Sequence, residues 1–231
     1  FPVVLGLVDE VGAAGLEASQ NDVLNGENTV KLTVDPKIQQ AAYQGLSSRG
    51  YEGAAVAIKA STGEILAIAS TPSYNPATVT DNWEELSADE MSPLLNHATQ
   101  DSLPPGSTFK VITTAAALMN GYTPGSPFTG ASQITLPGTT ATLENYGGGA
   151  CAGGGTVSLT TAFALSCNTA FAQLGSQLTE EQMTETAKAF GVGETYDLGL
   201  PEAAGALGDL TDAAARAQSA IGQRDVSSAG T

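Results

Sequence analysis

Behind Lys110 runs Val111-Ile112-Thr113-Thr114-Ala115-Ala116-Ala117-Leu118, a segment with no charge on any side. The pattern STFKVITTAAALM predicts one helix from Ser107 to about Met119. Pro104-Pro105-Gly106 sets it off at its start, and Asn120-Gly121 closes it. A helix uncharged all round belongs inside a packed layer. The fold must therefore enclose this helix, and the lysine at its start is costly to enclose unless it is used.

The composition allows such an interior. Of 231 residues, 42% are hydrophobic and 14% charged, enough for one medium domain with a core, or one domain plus a stub. With 24 acidic against 8 basic residues, the net charge is −16, and phosphates would repel the chain. That balance argues against nucleic acid and anionic membrane surfaces as partners. A single histidine, His97, rules out most zinc sites. A Ser/His/Asp triad would rest on His97 alone, and no acid partner for it stands out, so it reads as a polar loop residue.

Local patterns point to an α+β domain. Thr29 to Val34 alternates like a short strand. Asp35 then reads as an N-cap and Pro36 as the first helical residue of a helix to about Leu46. Ala54–Ile58 and Glu64–Ala69 flank a turn at Ser61-Thr62-Gly63 and predict a hairpin. Both runs are mostly apolar, as in strands covered on both faces. Residues 77 to 100 read as a polar connection containing Trp83, and 122 to 156 as loops and short strands. Val157 to about Leu178 predicts two helical pieces, the first ending near Ser166. Thr179 opens a helix through about Phe190, and Thr211 to about Ile221 a last one. Two strands do not make a stable sheet, so further strands are expected after residue 231. The chain begins without Met, has no signal peptide at Phe1 to Leu5 and no unbroken apolar run long enough for a membrane helix. A soluble fragment of a longer protein is expected.

Two places carry chemistry. Ser107 and Lys110 lie three apart and so share a helix face. Ser107 falls in the first turn, where the helix dipole favours an oxyanion, and a desolvated Lys110 could take its proton. An isolated S-x-x-K is usually an N-cap serine with a solvated lysine, but the uncharged helix behind Lys110 argues for use. The second place is Ser166-Cys167-Asn168, a hydroxyl and a carboxamide in a loop between helices. Alone it reads equally well as a cap or an Asx turn. Gly147–Gly149 and Gly153–Gly155 flank Cys151 but match no phosphate loop. Glu180, Glu181 and Glu185 read as a solvated helix face. Cys151 and Cys167 form no metal motif. They are two inert thiols or one disulfide, and a disulfide would imply an oxidising compartment.

Together these elements resemble serine acyl-transferases with S-x-x-K, S-D-N and K-T-G signatures. LPPGSTFKVITTAAAL resembles the nucleophile segment of class B penicillin-binding proteins, and GAAVAIKASTGEILAIASTPSYNP their first hairpin. GLEASQNDVLNG, TVDPKIQQAAY, SCNTAFAQLG and QSAIGQRDV are similar to further segments of that family, over residues 10 to 226 in all. ENYGGGAC and SCN look most like its actinobacterial penicillin-binding protein A type. No lysine is followed by Thr-Gly or Ser-Gly, so the third signature is absent from residues 1 to 231.

The resemblance implies a penicillin-binding, serine β-lactamase-like fold. In it an antiparallel sheet is flanked by helices beside an all-helical subregion. Residues 1–28 would end a preceding non-catalytic domain and linker, and 29–231 would form a transpeptidase domain whose C-terminal strands are missing. The implied activity is D,D-transpeptidation of peptidoglycan stem peptides through an acyl-enzyme, with β-lactams acylating the same serine. Ser107 would be the nucleophile, Lys110 its base and Ser166 a proton relay. Asn168 would hold the substrate's side amide, with the Ser107 N–H as half of an oxyanion hole. No metal and no cofactor are implied. The expected site is the outer face of the bacterial plasma membrane, with an anchor preceding this chain. A glycosyltransferase or other cell-wall synthesis proteins would be partners. That location, with the even cysteine count, favours a Cys151–Cys167 disulfide. A β-lactamase, a β-lactam sensor or a non-catalytic fragment remain alternatives.

Overall fold

The computed structural model describes residues 14–26 and 28–227. The expected linker, residues 1–28, thus falls partly outside the described residues. The chain divides into two compact units. One runs to Asp101 and takes in Thr195–Ala203; the other holds Ser102–Glu194 and continues from Ala204.

The first unit begins with the short helices α1 (Gly15–Ser19) and α2 (Asn21–Asn25). Helix α3 (Pro36–Ser47) starts as its sequence predicts. The Asp35 carboxylate accepts from the amides of Lys37 (2.8 Å) and Ile38 (3.2 Å), and Pro36 supplies the fixed φ of the first position. Strands β1 (Gly53–Ile58) and β2 (Ile65–Thr71) pair antiparallel from Gly53 opposite Thr71 to Ile58 opposite Ile65. Only β2 is deeply buried. Ala54 and Ile58 of β1 are exposed, so the expectation of two strands covered on both faces holds for β2 alone.

Thr29 to Val34 is not a ladder strand. The place beside β2 is taken by α3, whose buried Gln39 donates to the Ile68 carbonyl (2.8 Å) and accepts from the Ile68 amide (2.7 Å). A carboxamide thus satisfies backbone groups that a strand would have paired. The preceding segment is tied to β2 by hydrogen bonds from Thr33 Oγ1 to the Ile65 carbonyl and from the Asp35 amide to the Leu66 carbonyl. Leu16 packs on the buried Ile68 and Ala98. Helix α4 (Trp83–Ala88) lies within the stretch read as a polar connection. His97 is buried, and its Nδ1 lies 2.6 Å from an Asp101 carboxylate oxygen. This is the acid partner, four residues on, that the sequence reading overlooked.

In the second unit a 3₁₀ turn, Gly106–Phe109, leads into α5 (Lys110–Met119). Strands β3 (Pro127–Thr129), β4 (Gln133–Thr135), β5 (Thr142–Glu144) and β6 (Thr156–Ser158) pair antiparallel as β3 with β6 and β4 with β5. Four helices follow: α6 (Leu159–Ala164), α7 (Asn168–Gln177), α8 (Glu180–Ala189) and α9 (Ala213–Ser219). Among the described residues no sheet exceeds two strands. Thr179 opens α8 with a capping box, its Oγ1 accepting from the Gln182 amide while Gln182 accepts from the Thr179 amide. The core forms around α7, with Phe171 and Leu174 fully enclosed. Helix α5 buries Lys110, Thr113, Ala116 and Ala117, but Val111 and Leu118 are about half exposed. The expected all-round burial is thus one-sided among the described residues.

Helices α7 and α9 cross at Gly175. A Cβ there would run into Ala220 Cβ and the Arg216 backbone. Gly175→Val should cost roughly 1–3 kcal/mol by overpacking. Urea unfolding of the full-length protein checks this; an unchanged midpoint would mean the crossing is loose.

Candidate active site

The 3₁₀ turn has a mechanical consequence. With three residues per turn, side chains at i and i+3 eclipse, so Ser107 stands directly over Lys110. The sequence reading started the α-helix at Ser107, whereas it begins at Lys110. Gly106 adopts φ 57° after the two prolines, and its amide donates to the Gly222 carbonyl (2.9 Å). Gly222 itself has φ 68°, and a Cβ on it would collide with the Gly106 backbone. Two glycine backbones in contact thus fix the residue before Ser107.

Lys110 is 2% exposed. Its ammonium reaches Ser107 Oγ (3.1 Å), Ser166 Oγ (3.0 Å), the Ser166 carbonyl (2.8 Å) and Asn168 Oδ1 (2.7 Å). All four residues singled out in the sequence therefore meet at one nitrogen. Burial pushes the Lys110 ammonium down from 10.5 to about 8. Nζ also lies over the Phe171 ring, 5.6 Å from its centroid. Ser107 and Ser166 remain exposed on the cleft side. Ser166 has φ 55°, an uncommon conformation for a serine, and it turns both its hydroxyl and its carbonyl toward Lys110.

Asn168 is oriented by its partners. Its Nδ2 donates to the Glu144 carbonyl (3.1 Å), so Oδ1 must face the Lys110 ammonium. Between the two second-site residues, Cys167 is joined to Cys151 in a disulfide, with Cα atoms 5.8 Å apart. That bond ties the Ser166–Asn168 loop to the glycine-rich loop. A cleft of about 610 Å³ opens over these residues, lined also by Tyr146, Ile221 and Gln223. His97 is not among its lining residues. The sequence reading missed Gly222, Asn145 and Gln223. Their only signal was that each lies in a segment quoted for the family resemblance or next to one.

A serine hydroxyl, a desolvated lysine one turn on and a second serine with a carboxamide are the groups from which a serine acyl-transfer site without a histidine can be built. The penicillin-binding protein transpeptidase domain matches residues 53–228, and the chain belongs to that family. The peptidoglycan D,D-transpeptidase PbpA of Mycolicibacterium smegmatis is 42% identical over 247 aligned positions, taking in 93% of this chain and 50% of that protein. The crystal structure of PBPA from Mycobacterium tuberculosis superposes with a TM-score of 0.91 at 38% identity, over 98% of this chain and 59% of that one. The penicillin G acyl-enzyme complex of penicillin-binding protein A from the same organism gives 0.91 and 38%, over 98% and 60%. The chain spans about half the length of the curated relatives it matches.

Replacing Cys151 and Cys167 together by Ser should lower the unfolding free energy by roughly 3 kcal/mol, chiefly by freeing the unfolded chain. The urea midpoint reads this. Two titratable thiols in the denatured, unreduced wild-type protein would instead mean that no bridge forms.

Proposed function

We propose that this chain is the nucleophile-bearing part of a peptidoglycan D,D-transpeptidase that β-lactams acylate at Ser107. The observation that carries this is the set of oxygens around Lys110 Nζ. A neutral lysine amine has two hydrogens and one lone pair. The Ser166 carbonyl and Asn168 Oδ1 can only accept, so they take the two hydrogens. The lone pair is left to a hydroxyl, and Ser107 Oγ is within 3.1 Å. That is the geometry of a general base.

In this reading Ser107 Oγ attacks the carbonyl of the penultimate D-alanine of a stem peptide while its proton passes to Lys110. The Ser107 N–H steadies the oxyanion. The C–N bond then breaks, and the departing amine of D-alanine takes a proton from Lys110 through Ser166. An amine of a neighbouring stem attacks the ester and gives a proton to Lys110, which passes it to Ser107 Oγ as the acyl C–O bond breaks, so the serine hydroxyl and the neutral amine are both restored. Asn168 Nδ2 gives one hydrogen to Glu144 and has a second for the carbonyl of the substrate's side amide. The third signature lies outside residues 1–231, on a strand that completes the sheet and the oxyanion hole. Residues 29–231 then belong to the transpeptidase domain, and 1–28 to the end of a preceding domain and linker.

The substrate lies outside the cytoplasm, and the disulfide suits an oxidising compartment. The anchor is assigned to a segment before residue 1, and a glycosyltransferase of cell-wall synthesis is the partner this placement favours. Among the described residues no helix is long and apolar enough to cross a membrane.

Intact-mass analysis of the full-length protein with penicillin tests the reading. A long-lived adduct mapped to Ser107, lost in Ser107→Ala, is expected. Rapid turnover would mark a β-lactamase, and no adduct a non-catalytic fragment. Lys110→Arg should also lose labelling, because a guanidinium keeps its proton at neutral pH.

The pH profile is a separate check. With a pKa of about 8, about one-tenth of Lys110 is neutral at pH 7 and about half at pH 8. Acylation should therefore rise with pH through about 8. A rate flat from pH 6 to 9 would remove Lys110 from the base role.

A further inference from the structure

We infer that Asn145 is a positioning residue for this site, acting through Asn168. The inference rests on the reading of Ser107 as the acylated nucleophile. Helix α7 begins at Asn168, and its cap residue, Cys167, makes no side-chain capping bond because its sulfur is in the disulfide. The first amides of the helix therefore need partners from elsewhere. Thr169, fully buried, donates its amide to Asn145 Oδ1 (3.1 Å). Its hydroxyl donates to the Ala131 carbonyl (2.8 Å) and also lies 3.3 Å from Asn145 Oδ1. Asn145 thus caps α7 from another part of the chain.

The other half of the same carboxamide is equally committed. Asn145 Nδ2 donates to the carbonyls of Ala131 and Gly149, each at 3.0 Å. Those two carbonyls and the Thr169 amide leave only one orientation for the group. One side chain therefore joins the segment before β4, the glycine-rich loop and the start of α7.

Its importance for chemistry comes from its neighbour. The carbonyl of Glu144, the preceding residue, receives Asn168 Nδ2. Holding Asn145 holds that carbonyl, and so holds the Asn168 amide with its oxygen toward Lys110. A flipped Asn168 would set an NH2 group against the ammonium, donor against donor, at the 2.7 Å now spanned by a hydrogen bond. The acceptor that takes one Lys110 hydrogen would be lost, and the lone pair would no longer be directed at Ser107.

The test is the penicillin acylation rate of the full-length protein. Asn145→Ala should slow it about tenfold or more, the scale of a misplaced catalytic group. Asn145→Asp is isosteric and keeps an acceptor for Thr169, yet cannot donate to Ala131 and Gly149. It keeps α7 capped and should show the same loss. Gln173→Ala is the structural control. It removes the 2.6 Å bond that α7 accepts from the Thr129 amide, away from the site, and should leave the rate within twofold. In an Asn168→Ala background the Asn145 effect should largely vanish, because both act on one path. Rates within threefold of wild type in the folded Asn145 variants would overturn the assignment. So would an equal loss in Gln173→Ala, or full additivity with Asn168→Ala. A wild-type protein that takes no adduct would defeat the reading of Ser107 instead.

Discussion

The enclosed ammonium of Lys110 is the constraint to which the rest of the second unit answers. A cation at 2% exposure has lost nearly all its hydration, and oxygens of the protein must replace it. Four do so, from a 3₁₀ turn, a loop residue with left-handed φ and the first residue of α7. None of these three places is regular secondary structure in its interior. Each needs support from outside, which the glycine contact at Gly106, the disulfide at Cys167 and the Asn145 carboxamide supply.

The supports are of a kind that fixes backbone rather than side chains. Gly106 and Gly222 approach so closely that neither a side chain nor water separates them, and the turn bearing Ser107 is set by main-chain geometry. Gly175 lets α9 press equally close on α7, the helix that begins at Asn168. Rotamer freedom is absent from such contacts, so the two ends of the site are set with little entropy left to lose. A serine hydroxyl and an amine held this way already stand within hydrogen-bond distance, at 3.1 Å.

What the sequence made legible was local. Asp35-Pro36, the helix start at Thr179 and the hairpin turn near Gly63 act over a few residues, and their signals survive without knowledge of the fold. Ser107 and Lys110 were legible for the same reason, being one turn apart. Ser166 and Asn168 gained weight only from the family resemblance, since S-x-N occurs elsewhere in the chain at Ser19 and Ser73. Contacts across long separations left little trace. β3 pairs with β6 from Thr129 to Thr156 across a glycine-rich loop, and strands of three residues have no period to detect. Thr29 to Val34 has a strand's alternation, yet Gln39 of the next helix takes the ladder position. Asn145 looks like any turn asparagine until Thr169, 24 residues later, is brought to it.

The choice of acceptors explains how a lysine can have a lowered pKa in so acidic a chain. The sequence has 24 carboxylates, and one beside Lys110 would stabilise the ammonium and raise its pKa again. Among the described residues none forms an ion pair with it. Its partners are hydroxyls, a backbone carbonyl and a carboxamide, all neutral, and burial is left as the cause of the lowered pKa. Neutral acceptors satisfy the hydrogens of either protonation state without favouring the charged one as strongly as an anion would. His97, the residue type more often used near neutral pH, is instead buried against Asp101 in the other unit. The site is therefore built by subtraction of water and of charge around one amine, on the buried face of a helix that also encloses Thr113, Ala116 and Ala117.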